Sequence, residues 1–539
     1  MPRFTSKIAP DVDKLRGGYY TPDAIARALA AWVAAAGPRL LEPAAGDGVI
    51  LRHLVAEAGP ADVLGVELEP DEARRAGEHG DVVQDDFFRW FDEAQHGRRD
   101  GVAGNPPYIR FGNWSETERE RALRFMRQQG LPTTKLMNAW MPFVAASVVA
   151  VREGGRVGLV LPAELLQVGY AKALRAYLVD NCAEITLISF RKLVFPGILQ
   201  EVVLLLATRG EGPAVMRGVE VHDAADLGDL DLGAVPAVVA PLHDSEKWTK
   251  YYLAADEIVG LRSMREDPRL TTVGAWASVD VGVVTGRNSF FTMTAGEAAA
   301  LGLYELTKGL VSRSAQLTGV AFTSADLDEQ AATAARTRLL DVPPDVTPEN
   351  HTGLRQHIAE GEAEEVHRGY KCRIRREWWR VPSTGSPDGF MLRQIHRYPR
   401  IFANHTDATS TDTVHRVTLR RLDATAAQLA VAALNSVTFA SAEVVGRSYG
   451  GGILELEPSE AEHMPIPSPA LVDEALTTKV DELLREGRTD DAVELVDQAL
   501  LIDALGFARD QVQSARSAWV RLRDRRGGRG RSSRSATEA

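Results

Sequence analysis

Cysteine is almost absent from this 539-residue chain: Cys182 and Cys372 are the only two, far apart and without a C-x-x-C partner. Neither a disulfide framework nor a zinc cluster is therefore expected, and no metal ligands are assigned. Long apolar runs are lacking too. The run around Glu201 to Ala207 is far too short to cross a bilayer, and Met1-Pro-Arg-Phe lacks the apolar core of an export signal. The expectation is a soluble cytoplasmic protein with no membrane partner. Positive charge is also scarce, with 62 Lys and Arg against 74 Asp and Glu, a net charge of −12. That excludes holding a polyanion by bulk charge and leaves only a local patch to do so. No G-x-G-x-x-G fingerprint follows a strand, and no internal repeat is visible.

What is present is ordinary globular composition, 45% hydrophobic and 25% charged, in a chain long enough for two large domains and an appendage. Residues 22 to 209 alternate as a parallel, helix-flanked sheet does. Strands are expected ending at Glu42-Pro43-Ala44 and over Val63 to Leu68, Asp81 to Asp86 and Gly101 to Asn105. A helix over Lys135 to Arg152 precedes further strands at Gly155 to Pro162, Ala183 to Phe190 and Glu201 to Arg209. The last two are close enough to pair antiparallel at the sheet edge. Beyond about residue 245 the alternation stops, and a second domain with short β-like runs extends to about 470. The Pro-rich stretch Met464-Pro-Ile-Pro-Ser-Pro469 reads as a linker. The expected division is a catalytic domain over 1–245, an α+β domain over 246–470, a helical extension over 471–524 and a disordered Arg-rich tail over 525–539.

Three acids and one loop carry the chemistry. Leu40-Leu41-Glu42-Pro43-Ala44-Ala45-Gly46-Asp47-Gly48 is a strand, a small-residue turn that lets a ligand approach the backbone, and a helix start. Glu67 ends the second strand, where a carboxylate can hold ribose hydroxyls, and Asp86-Phe87 ends the third with an acceptor for an adenine amino group and a ring to cover a purine. Asn105-Pro106-Pro107-Tyr108 follows the fourth strand. An asparagine side-chain oxygen and the next carbonyl can accept both hydrogens of one amino group, the prolines fix φ, and the tyrosine offers a stacking face.

In that order, and preceded by Gly18-Tyr19-Tyr20-Thr21-Pro22, these motifs resemble the γ-class N6-adenine DNA methyltransferases of the TaqI type, the methylases of type II restriction-modification systems. Asn138-Ala-Trp-Met-Pro-Phe143, Val194-Phe195-Pro196 and Ser448-Tyr-Gly-Gly-Gly-Ile-Leu-Glu-Leu-Glu-Pro458 are similar to further family segments. The resemblance implies a Rossmann-like methyltransferase domain with a mixed seven-stranded sheet, followed by a DNA target-recognition domain. It also implies S-adenosyl-L-methionine as cofactor and double-stranded DNA as substrate, with an adenine flipped out of the helix. Cofactor residues would be Tyr20, Thr21, Glu42, Pro43, Ala44, Ala45, Gly46, Glu67, Asp86, Phe87, Asn105 and Pro107. Asn105, Pro106, Pro107 and Tyr108 would be catalytic, and Tyr108, Phe143 and Phe195 would surround the target base.

Between Lys371 and Arg400 eight Lys or Arg face two acids, and Arg373, Arg375, Arg376, Trp378 and Trp379 are the expected DNA contacts. Pro70-Asp71 and Pro344-Asp345 lack a downstream Glu-x-Lys, so modification without cleavage is expected, by a monomer on DNA beside a separate cognate endonuclease. The alternatives are an N6-adenine enzyme acting on RNA and a glutamine-amide methyltransferase, since the same loop can hold any planar amide.

Overall fold

The structure, a computed structural model, describes residues 20–59, 62–192, 194–195, 201–212, 214–239, 247–382, 385–449 and 452–535. Gly18, Tyr19 and Pro196 lie outside them. The chain divides into two compact units, one of Met1–Ile258, Tyr449–Gly452 and Arg525–Ala539, the other of Val259–Ser448 and Ile453–Asp524.

Among the described residues the first unit is built on nine strands: β1 (Leu40–Glu42), β2 (Val63–Glu67), β3 (Asp81–Gln84), β4 (Arg99–Gly104), β5 (Val151–Pro162), β6 (Cys182–Phe190), β7 (Val202–Arg209), β8 (Val215–Val221) and β9 (Ala237–Val239). Their order is β3-β2-β1-β4-β5-β7-β6-β8-β9. The first five run parallel, and β7 pairs antiparallel with both β5 and β6. The expected seven strands are all there, but β6 and β7 do not end the sheet. β8 pairs parallel with β6 and carries β9 on its outer side. Val215–Val221 was illegible as a strand because it is only half-buried and interrupted by Arg217, Gly218 and Glu220.

Burial explains why the central strands read so clearly. β1 is buried at every residue and β7 over its first six, as expected of strands covered on both faces. The helix Asp23–Ala34 sets Ile25, Leu29 and Val33 against the sheet, and Val49–Ala58 adds Ile50, Leu51 and Leu54 to the same core. Trp140–Ala150 is buried along its whole length, so it has no polar face to display. Strand order reverses at β1, which has β2 on one side and β4 on the other, and open α/β sheets bind ligands at the carboxyl ends of the strands at such a point.

The unit boundary falls at Ile258 and not at 245, because Trp248–Tyr252 belongs to the first unit: Trp248 is fully buried, and the Tyr251 carbonyl sits where a Cβ on Gly218 would be. The second unit is α+β, as expected. It has a five-stranded sheet (Ala277–Asp280, Val414–Leu419, Gly389–Leu392, Ile401–Asn404, Ala321–Phe322) and a four-stranded one (Thr292–Met293, Arg338–Leu340, Thr307–Val311, Thr409–Ser410).

Three expectations fail here. The Pro-rich stretch is no linker, since Pro465–Ile466 pairs with Thr271–Thr272 and Met464 and Ile466 are buried. The helical extension is no separate domain: Asp481 accepts the Val320 N–H at 2.6 Å, and Asp497 accepts the Ser436 N–H at 2.8 Å. Finally, the helix Arg509–Ser535 runs into the Arg-rich tail. Arg525 lies 3.3 Å from the centroid of the Tyr252 ring and donates to the Ser189 hydroxyl at 2.9 Å.

Candidate active site

The carboxyl ends of β1 to β4 open on one cavity of about 540 Å³. Each wall follows from a local sequence feature. After β1 the chain turns through Gly46 (φ 53°) and Gly48 (φ 81°) before entering the helix Val49–Ala58. A Cβ on Gly48 would lie 2.7 Å from the Ala76 Cα, so this turn has room only for glycine. The tight turn leaves Glu42 2% exposed, and its Oε2 has no hydrogen-bond partner among the described residues. Burial, and then the nearby Asp47 and Glu67 carboxylates, hold the Glu42 carboxyl well above the usual range.

Glu67, at the end of β2, accepts the Gly46 N–H at 2.7 Å and the Glu69 N–H at 2.9 Å. Burial pushes its carboxyl up, against the pull of those backbone donors. Asp86 stands at the N-cap position of the short helix Phe87–Trp90 without a side-chain capping hydrogen bond and is 8% exposed; burial raises its carboxyl, opposed by Arg121 at 3.5 Å. Asn105 leaves β4 into an extended loop anchored on both sides. The Tyr108 hydroxyl donates to the Val160 carbonyl at 3.1 Å, and the Ala139 N–H donates to the Ile109 carbonyl at 2.9 Å.

Every expected cofactor residue, from Tyr20 and Thr21 to Asn105 and Pro107, lines this cavity. So do residues that were assigned no role here from the sequence: Asp47, Glu69, Asp71, Glu72, Arg75, Asp85, Phe88, Trp114 and Glu118. The acidic run Glu67 to Glu72 was a visible signal for some of these, whereas nothing marked Trp114 or Glu118. Among the described lining residues Arg75 is the one cation against nine carboxylates, and Glu72 pairs with it while also accepting the Tyr20 hydroxyl at 3.1 Å. Such a cavity favours a ligand of net positive charge. S-adenosylmethionine fits, having a sulfonium and an ammonium against one carboxylate. The unpartnered Glu42 oxygen suits a cationic head, and Phe87 and Phe143 offer apolar surface for a purine.

The aromatics assigned to the target base separate. Phe143 is buried and stacked on Phe87, with centroids 5.1 Å apart at 23°, and it lines this cavity. Phe195 does not reach the cavity lining. It is 3% exposed, inside the core cluster with Phe190 and Val202. Tyr108 and the buried Pro106 are next to the lining but not in it.

In the second unit the expected DNA contacts also divide. Trp379 is a core residue, 7% exposed, with the Arg380 guanidinium over its ring; Trp378 packs on the same cluster, 5.1 Å from Phe290. Arg375 is partly buried and donates to the Val284 carbonyl at 2.7 Å. Only Arg373 and Arg376 of the five are exposed.

Two family models match successive stretches of the chain, the Eco57I restriction-modification methylase over residues 67–195 and the C-terminal domain of the type II methyltransferase M.Eco57I over residues 245–501. Among similar proteins is the type II methyltransferase M.AccI of Acinetobacter calcoaceticus, 20% identical over 90% of this chain and 91% of that one. Another is M.XamI of Xanthomonas campestris pv. amaranthicola, 26% identical over 84% of this chain and 85% of that one. Solved structures with likeness include a DrdV–DNA complex (TM-score 0.46, 12% identity, 91% of this chain and 58% of that one). The type IIG restriction endonuclease BpuSI is another (TM-score 0.41, 13% identity, 95% and 66%). The assignment rests on the family models and the near full-length relatives, which agree on one enzyme type: the chain belongs to the type II restriction-modification methylases.

Proposed function

We propose that this protein is a site-specific DNA methyltransferase that transfers a methyl group from S-adenosylmethionine to N6 of an adenine turned out of the duplex. One observation carries the reading: Asn105-Pro106-Pro107-Tyr108 leaves β4 at the rim of the cavity lined by Glu42, Glu67 and Asp86, with Asn105 and Pro107 in its wall. Bound there, S-adenosylmethionine supplies an electrophilic methyl group on a sulfonium.

The chain supplies position. The Asn105 side-chain oxygen and the Pro106 carbonyl accept the two N6 hydrogens, which draws the nitrogen toward tetrahedral geometry and frees its lone pair for an in-line displacement, in which the N6–C bond would form as the sulfonium C–S bond breaks and the surplus N6 proton would pass to solvent. The prolines hold those acceptors still, and the ring of Tyr108, moored through its hydroxyl, is the stacking face for the base. Phe143 supports Phe87 on the cofactor side, and Phe195 is enclosed in the core cluster on which Tyr108 packs. In the same reading the protein acts as a monomer on double-stranded DNA, beside a separate endonuclease.

The test is tritiated methyl transfer to unmethylated plasmid DNA, with RNA and a glutamine peptide as parallel acceptors and the product nucleoside identified by chromatography. N6-methyladenine from DNA alone is expected, lost in Asn105→Ala while cofactor binding persists. Full activity in that variant, or label on cytosine, rejects the mechanism.

A further inference from the structure

The basic run that drew attention in the sequence is sorted by the second unit into cations with internal work and cations without it. Arg380 donates to the carbonyls of Val342 and Val346, Arg393 pairs with Glu455 at 2.8 Å, and Arg400 donates to the Thr318 carbonyl at 2.7 Å. These hold loops together, as Arg375 does through Val284. Lys371, Arg373 and Arg376 are exposed, and among the described residues none of them has an ion pair.

The same turn exposes two large apolar side chains, Tyr370 at 64% and Ile374 at 61%. Their i, i+4 spacing puts them on one face of a helical turn. The opposite side of the turn is anchored: Cys372 is 1% exposed and Trp379 lies in the core. A Cβ on Gly286 would be 2.9 Å from the Lys371 Cβ, so the turn is held close against the 284–287 segment.

Neighbouring exposed apolar side chains rimmed by polar ones mark an interaction site, whereas a singly exposed one does not. Leu422, 98% exposed, shows the contrast, because its neighbours Arg420 and Arg421 are paired with Glu462 and Asp423 and leave no surplus charge for a polyanion.

We propose that the 370–376 turn is a DNA-reading element, in which Arg373 and Arg376 take phosphates and Tyr370 and Ile374 press on bases. This rests on the DNA methyltransferase reading and assigns residues to its target recognition. Charge complementarity selects the occupant: unpaired cations flank an apolar tip, the arrangement by which side chains enter a groove and contact or unstack bases while the backbone is held electrostatically. The turn is already fixed by Cys372, Arg375 and Trp379, so little ordering accompanies binding.

The test uses the whole protein and two fluorescent duplexes. One carries the sequence at which wild-type protein methylates plasmid DNA, located by single-molecule sequencing; the other is scrambled. Cofactor binding and melting temperature serve as fold controls. For Arg373→Ala/Arg376→Ala, affinity falls on both duplexes and the log K against log salt slope becomes shallower by about 2. For Tyr370→Ala and Ile374→Ser the slope stays and preference for the methylated sequence drops about tenfold. Wild-type slopes and preference in all these variants overturn the proposal. So does loss of self-association with DNA binding intact, which gives the patch to a second copy. A wild-type protein that transfers no methyl group to DNA overturns the function itself.

Discussion

Glu42→Gln separates stability from cofactor binding, because the same carboxylate has opposite effects on the two. Without ligand, Glu42 is buried beside Asp47 and Glu67 with one oxygen lacking a partner, and its carboxyl holds its proton above the ordinary range. A folded-state pKa above the unfolded one favours folding at low pH, and that contribution is lost as pH rises through the folded value. Gln is isosteric and never ionises, so the ligand-free variant should melt higher than wild type, by a margin that widens with pH. Cofactor binding should change in the other direction. A charge-assisted hydrogen bond is worth about 2 kcal/mol, or roughly thirtyfold in Kd near neutral pH. Wild-type affinity should tighten as pH rises and Glu42 ionises, while the variant stays flat. Calorimetric titration of S-adenosylmethionine, with melts on ligand-free protein across the same pH range, measures both. Equal Kd in the two proteins at every pH would refute the reasoning, since Glu42 would then not face the ligand's charge.

Other outcomes follow from single contacts. Gly48→Ala should cost about 2 kcal/mol in urea unfolding and weaken cofactor binding, because an L-residue at φ 81° also meets the Ala76 backbone; an unchanged midpoint counts against the tight-turn argument. Phe143→Leu should raise the cofactor Kd severalfold through the loss of a stacked ring worth about 1 kcal/mol, with KM for DNA unchanged; the reverse pattern restores Phe143 to the target base. Asp497 is lifted by burial to about 6, so its contribution to folding fades as pH rises through that value. Asp497→Asn should match wild type near pH ~4 and exceed it by up to about 3 kcal/mol near pH ~7, and a difference that does not vary with pH excludes this account.

The cavity was legible because two of its acids, Glu42 and Glu67, each end a run of aliphatic residues. Leu40-Leu41-Glu42 and Val63-Leu-Gly-Val-Glu67 announce a buried strand and then a polar group at its carboxyl end, and a parallel sheet brings such ends together without any need to see the side chains. Burial on both faces is what makes the pattern strong. The same reasoning explains what was missed. β8 lies near the sheet edge with a mixed face, and the second unit's strands are two to six residues long, too short for a period of two to stand out from the loops.

Residue type is a weaker guide than backbone pattern wherever one side chain serves two physical roles. An arginine that binds phosphate and one that caps carbonyl groups present the same letter, and in 371–400 the fold uses Arg375, Arg380 and Arg400 for the second task. Aromatics are ambiguous for the same reason: a ring able to stack on a base can stack as well on a neighbour, as Phe143 does on Phe87, or fill the core, as Phe195 and Trp379 do. Asn105-Pro106-Pro107-Tyr108 escapes the ambiguity because its prolines cannot donate to a strand and its asparagine follows a buried one. A rigid polar loop at a strand's carboxyl end has little structural use there, and that is why those four residues stand out in the sequence and the rings do not.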